Sequence, residues 1–241
     1  MKGKKIKFWI FGIITIGLAL LFFLKNKEMY SLISHNGSEY SKIESVTKET
    51  CLQCHQNTKG YSAYHNPELI GCASCHLGNT TSMDKEESHK GMVLIPGNLS
   101  DASKTCGKCH PNELNKIENS LMTTNSGIVA IDKYIFGEAD SPNYQYHIQQ
   151  IQNSASDKHL RDLCANCHLW AEKTEYGAIT QLSRGGGCNA CHLNYSEEAK
   201  NDLNAYLVSS KKELPEFHPA TNIFVKNEHC FGCHSRSSRI S

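Results

Sequence analysis

All twelve cysteines of this 241-residue chain occur in one pattern, in which two residues separate a pair of cysteines and a histidine follows the second. The pattern occurs six times and leaves no cysteine over. The pairs are Cys51 and Cys54, Cys72 and Cys75, Cys106 and Cys109, Cys164 and Cys167, Cys188 and Cys191, and Cys230 and Cys233. The histidines that follow them are His55, His76, His110, His168, His192 and His234. Any fold of this chain must therefore accommodate six copies of the same chemical group.

The C-x-x-C-H pattern is the attachment motif of c-type haem. The two thiols form thioethers with the porphyrin, and the adjacent histidine binds the iron as the proximal ligand. Zinc sites and disulfide frameworks are the alternatives, but neither needs a histidine directly after the second cysteine. Since that histidine is present in all six motifs, we predict six covalently bound haems with iron, held by the twelve cysteines and six motif histidines.

Seven further histidines lie outside the motifs, whereas six irons need at most six distal ligands. His35 is remote from the motifs, so we expect it to be the spare one. The predicted distal ligands are His65, His89, His147, His159, His218 and His229. An iron with two histidines serves electron transfer, whereas an open position allows a substrate to bind. The count permits an all-bis-histidine electron carrier without requiring one.

The N-terminus has the pattern of a membrane segment. Four lysines within residues 2–7 precede an uncharged, largely apolar run over residues 8–24. At about 1.5 Å per residue this run extends roughly 25 Å, the short end of what spans a bilayer. A cleaved signal peptide is the alternative, although no small-x-small cleavage site follows the run. Both interpretations place the rest of the chain outside the cytoplasm, with the lysines inside.

The predicted domains are an anchor or signal peptide over residues 1–27, a linker over 28–48 and a hexahaem cytochrome c domain over 49–241. A formal net charge of +1 gives no support for nucleic-acid binding. Hydrophobic residues make up 39% of the chain, and part of them lie in the N-terminal run, so the haems are expected to form the core. We therefore predict a multihaem cytochrome c fold, mainly α and irregular, preceded by one transmembrane helix.

A few local elements can be predicted within this fold. Pro111 suits the first turn of a helix after His110, and a second helix is expected after Ser196. Residues 128–136 are apolar enough for either a helix or a strand. The three glycines at 185–187 predict a loop whose backbone lies close to a porphyrin or to a neighbouring motif.

The chain resembles the multihaem c-type cytochromes related to the octahaem hydroxylamine oxidoreductase and tetrathionate reductase group. The segments that carry the resemblance are residues 72–79, 89–100, 105–110, 159–164 and 230–236. The resemblance implies closely stacked haem pairs, with His89, His159 and His218 as distal ligands. Enzymes of this group carry more haems, including one with unusual ligation, whereas every motif in this chain ends in an ordinary histidine.

These features predict a single-pass cytochrome on the periplasmic or extracytoplasmic side of the cytoplasmic (inner) membrane, which transfers electrons along six haems in respiration. Redox proteins or the quinone pool are the expected partners. One alternative is an enzyme that reduces or oxidises small nitrogen or sulfur compounds at an open haem. Another is a haem subunit of a larger complex, joined to a second haem subunit at the C-terminal end, since only residues 235–241 follow the sixth motif.

Overall fold

Short helices joined by irregular segments make up most of the computed structural model, which describes residues 49–209 and 214–234. The helices are α1 (Cys51–Cys54), α2 (Pro67–Ile70), α3 (Ala73–His76), α4 (Lys85–His89), α5 (Leu99–Ala102), α6 (Cys106–Cys109), α7 (Pro111–Glu118), α8 (Leu121–Thr124), α9 (Ser126–Ile135), α10 (Ala155–His159), α11 (Asn189–His192), α12 (Glu197–Val208) and α13 (Asn227–His234). Single 3-10 turns lie at Ala63–His65 and Ile148–Gln150, and a π-helical segment covers Leu160–Cys164. The predicted class, mainly helical and irregular, is confirmed.

The two longer helices that the sequence predicts are present. Helix α7 begins at Pro111, whose missing N–H costs nothing in a first turn. Helix α12 begins after Ser196, whose hydroxyl accepts a hydrogen bond from the Ala199 amide at 3.1 Å. Residues 126–135 form helix α9, which decides between helix and strand for the apolar stretch there.

One two-stranded antiparallel ladder lies within the described residues, and the sequence did not predict it. Strand β1 (Leu193–Asn194) follows the fifth motif and pairs with β2 (Ala220–Thr221). Strands of two residues are too short for an alternating pattern to indicate them. The ladder holds the segment that precedes the sixth motif beside the fifth motif.

The buried hydrophobic side chains form two small clusters. One contains Leu99, Ala102, Leu169 and Ala190. The other contains Val129, Ile148, Leu160 and Ala165. Across the described residues eleven hydrophobic residues are buried, five of them alanines, whereas 23 large hydrophobic residues are exposed. The polypeptide on its own therefore buries little of its apolar surface.

The glycine loop lies directly against neighbouring backbone, as expected. A Cβ on Gly185 would lie 2.1 Å from the carbonyl oxygen of Ala171. Gly187 has a φ of +53°, and its Cβ would lie 2.1 Å from the carbonyl oxygen of Gly97. Neither position has room for a side chain larger than the hydrogen atom of glycine. This close approach allows the Cys188 amide to donate a hydrogen bond to the Gly97 carbonyl at 2.8 Å.

Within residues 49–209 and 214–234, no helix is both long and apolar enough to cross a membrane. The predicted anchor over residues 1–27 and the linker over 28–48 lie outside the described residues, as does His35.

Candidate haem sites

Five of the six motifs fold into helical turns that put both cysteines of a pair on one side, whereas the fourth continues from the π-helical segment into irregular backbone. In four motifs the amide of the motif histidine donates a hydrogen bond to the carbonyl of the first cysteine, at 2.9 to 3.1 Å. These bonds join His55 to Cys51, His76 to Cys72, His110 to Cys106 and His192 to Cys188. Residues three apart on such a turn share a face. Both sulfurs can therefore approach one edge of a flat group.

The thiols are free in every cysteine whose side chain the structure describes, so no disulfide framework forms there. Burial raises the pKa of Cys75 to about 11 and has the same effect on Cys233. These thiols are protonated at neutral pH. Addition of a thiol across a vinyl group uses the S–H bond, so protonated thiols suit thioether formation.

Thiols of different motifs lie close to one another and join the motifs into a series. Cys51 lies near Cys72, Cys75 lies near Cys106, and Cys106 lies near Cys188. Cys191 lies near Cys230, and Cys233 lies near Cys167. These neighbours link the first motif to the second, the second to the third, the third to the fifth, the fifth to the sixth and the sixth to the fourth. The fourth motif also packs against the fifth, through Leu169 and Ala190.

Three motif histidines face a predicted distal ligand from a distant part of the chain. The ring centroids of His55 and His89 are 6.2 Å apart, those of His110 and His65 are also 6.2 Å apart, and those of His76 and His218 are 5.9 Å apart. A metal–imidazole bond of about 2.0 Å, with roughly 1 Å more from nitrogen to ring centre, gives about 6 Å between two rings that share one metal. The three separations fit an iron between each pair of rings.

His147 approaches a fourth motif histidine, His168. Burial and the neighbouring His147 lower the pKa of His168, and the His147 ring lies edge-on to Trp170 with centroids 6.2 Å apart. The Nδ1 of His147 accepts a hydrogen bond from the Gln149 amide at 3.1 Å. The Nδ1 of His168 and the Nε1 of Trp170 are buried without a hydrogen-bond partner in the described structure. Buried polar atoms of this kind ordinarily have partners.

Backbone carbonyls orient three of the six paired rings. The Nδ1 of His76 donates to Val93 at 2.8 Å, that of His218 to Pro219 at 2.6 Å, and that of His89 to Lys85 at 2.6 Å. A proton held on Nδ1 leaves the lone pair on Nε2, the nitrogen that points away from the backbone. Metal-binding histidines are generally oriented in this way.

His65 is oriented through a hydroxyl group. Ser62 donates its proton to the Thr221 carbonyl at 2.7 Å, so its oxygen accepts from the Nδ1 of His65 at 3.3 Å. The proton on Nδ1 again leaves Nε2 free, in this case toward His110. Ser62 and Thr221 have no signature in the sequence that would have linked them to a ligand.

Burial also lowers the pKa of four of the paired rings, which favours their neutral form. Burial is the main cause of the lowered pKa of His76 and His218. For His55 and His65, burial and, after it, repulsion from the facing histidine both lower the pKa. A neutral imidazole has a lone pair to give to a metal, whereas imidazolium has none. The donor set therefore fits haem iron, to which the porphyrin contributes the remaining four nitrogens.

Six predicted ligands are not in a facing pair of the described residues: His147 and His168, treated above, and His159, His192, His229 and His234. The Nδ1 of His192 donates to Asn222 at 2.9 Å. His159 bonds to Asp132. His229 accepts at Nδ1 from the Lys226 amide and donates from Nε2 to the Leu193 carbonyl, at 2.9 and 3.0 Å. His234 ends helix α13. The ligand role of all twelve histidines named as ligands stays a prediction.

No protein-family model, no curated protein and no solved structure matches the chain. Within the described ranges, no set of three or more His, Cys, Asp or Glu side chains converges as a metal site does.

Proposed function

We propose that the chain is a membrane-anchored, extracytoplasmic cytochrome that holds six c-type haems and transfers electrons along them in respiration. One observation carries the proposal: three motif histidines each face a histidine from a distant part of the chain, with 5.9 to 6.2 Å between the ring centroids. A bound haem supplies the Fe(III)/Fe(II) couple, which takes up and releases one electron. The chain's part is to attach, orient and enclose that group.

The scarcity of buried apolar side chains supports haem as the core. Eleven buried hydrophobic residues, several of them alanines, are few for the part of the chain that the structure describes. Six porphyrins would supply the missing apolar surface, and exposed side chains such as Tyr64, Phe224 and Phe231 could cover them. The unpaired Trp170 Nε1 is a suitable donor to a haem propionate.

The continuous series of motifs supports transfer from haem to haem. Each sulfur would lie at a porphyrin edge, so neighbouring cysteines such as Cys106 and Cys188 would bring two edges close together. Close edges of this kind also agree with the stacked pairs that the family resemblance implies. The series begins at the first motif, which is nearest in sequence to the proposed anchor.

The membrane anchor, the location and the partners rest on the sequence alone. The lysines and the apolar run over residues 2–24 support the anchor. Electrons would come from or go to the quinone pool or another redox protein, and a second haem subunit at the C-terminal end is a further proposed partner.

A spectrum of the holoprotein tests the proposed function. All-bis-histidine coordination gives only low-spin haems. Because both axial positions of each iron are then filled, neither carbon monoxide nor nitrite binds rapidly. A high-spin haem that binds nitrite or carbon monoxide would instead support the alternative, a reductase or oxidase of small nitrogen or sulfur compounds. Fractionation of cells with and without detergent tests the anchor. An anchored protein leaves the membrane fraction only with detergent, whereas a protein whose signal peptide was cleaved is extracted without it.

A further inference from the structure

One predicted ligand, His159, bonds to a carboxylate. Its Nδ1 lies 2.9 Å from Oδ1 and 3.0 Å from Oδ2 of Asp132. His76, His89, His192 and His218 each use a backbone carbonyl. A carboxylate accepts the same proton but adds a full negative charge next to the ring.

The carboxylate is held in a buried position. Asp132 is 8% exposed, and it lies in helix α9 beside buried Val129 and Ala130. A buried carboxylate needs a partner to offset its desolvation, and His159 is that partner. The His159 side chain itself is 36% exposed, so its Nε2 edge remains accessible to a group that packs there.

An ion pair also fixes the two helices that carry Asp132 and His159. Lys133, next to Asp132, bonds to Asp157 of helix α10 at 2.7 Å. Asp157 also completes a capping box with Ser154 at the start of α10. The Phe136 ring lies 5.3 Å from the His159 ring. The ring plane of His159 is therefore set by contacts on several sides.

We propose that Asp132 is a positioning residue that makes His159 a more strongly donating axial ligand than the histidines that bond to backbone carbonyls. The carboxylate holds the proton on Nδ1, keeps the Nε2 lone pair directed away from helix α9, and gives the ring partial imidazolate character. Stronger donation stabilises Fe(III) over Fe(II). The haem that His159 serves would then have a lower midpoint potential than it would with a neutral partner at Nδ1. This inference rests on the proposed function.

Potentiometric titration of the holoprotein and of Asp132→Asn, followed by low-temperature EPR, tests the inference. The asparagine still accepts from Nδ1 but lacks the charge, so one haem of the six should rise in potential and change its g values. Asp140→Asn is the matched control, because it removes the same charge from an exposed residue, whose carboxylate accepts a hydrogen bond from the Tyr144 hydroxyl at 2.8 Å. It should leave all six potentials unchanged.

The variants also distinguish a structural role from the proposed one. Asp132→Glu retains the carboxylate and should keep the potential near that of the wild type. In a His159→Met background, Asp132→Asn should produce no further shift, because both changes act on one haem. Six unchanged potentials in Asp132→Asn, or equal shifts in Asp140→Asn, would overturn the inference and leave the proposed function standing. A wild-type protein without covalent haem would overturn both.

Discussion

The imidazole rings of His76 and His218 face each other with 5.9 Å between their centroids and planes inclined at 83°. The Nδ1 atoms of both rings donate to backbone carbonyls, those of Val93 and Pro219. Both lone pairs are thus free at Nε2, and these two residues, which come from opposite halves of the chain, are the proposed axial ligands of one iron.

Replacement of a distal ligand should raise one potential. In His218→Met a thioether replaces an imidazole, and a methionine ligand stabilises Fe(II) relative to histidine. Potentiometric titration should show one haem of the six at a clearly higher potential. Lys226→Met is the control, since Lys226 is exposed in the same segment. If His218→Met and Lys226→Met titrate alike, His218 is not a ligand.

The angles between the rings predict two kinds of EPR signal. The pairs His55/His89 and His76/His218 are inclined at 78° and 83°, whereas His65/His110 are inclined at 37°. Perpendicular imidazoles make two iron d orbitals nearly equal in energy, and this increases the g anisotropy of low-spin Fe(III). We expect strongly anisotropic signals from the first two pairs and a rhombic signal from the third.

Variants assign these signals to the pairs. His218→Met should remove a strongly anisotropic signal, and His65→Met should remove a rhombic one. Loss of the same signal in both variants would contradict the assignment.

The glycine loop gives a stability prediction with a matched control. A methyl group on Gly185 would lie 2.1 and 2.6 Å from the carbonyl oxygens of Ala171 and His168, so Gly185→Ala should destabilise the holoprotein by about 1–3 kcal/mol. Gly127 lies in helix α9 with nothing within 4 Å, so Gly127→Ala should stabilise it by about 0.5–1 kcal/mol. Denaturant unfolding monitored by Soret absorbance measures both. Equal effects of the two substitutions would argue against close packing at Gly185.

The Glu138 carboxylate predicts a dependence of stability on pH. Hydrogen bonds from Ser154, Ser156 and then Lys133 lower the pKa of Glu138 from 4.5 to about 2. Since the folded pKa lies below the unfolded one, the contribution of Glu138 is full above about pH 5. It is lost as the pH falls toward 2. The difference in unfolding free energy between the wild type and Glu138→Gln should therefore narrow over this interval, and a difference that is the same at pH 7 and pH 2.5 would contradict the assignment.

Local patterns in the sequence were sufficient for the helices near the motifs. Pro111 and Ser196 mark the starts of α7 and α12 because proline and serine act within one turn of their own position. The two-residue ladder of β1 and β2 depends on residues far apart in the chain, and no local pattern indicates it.

The candidate site was only partly predictable for the same reason. His218 was among the predicted ligands, but its pairing with His76 depends on contacts between distant segments. The carbonyl partners Val93 and Pro219 act through backbone atoms, which any residue type supplies. The carbonyl of Lys85 is an exception, since it lies one helical turn before His89 and this spacing could have indicated it.

The mass of the denatured protein tests the central claim most directly. Thioether bonds survive denaturation, so the mass should exceed that of the polypeptide by six haems, and a variant with both Cys106→Ala and Cys109→Ala should exceed its own polypeptide mass by five. A denatured chain with no covalent haem, or one that releases zinc on unfolding, would contradict the account.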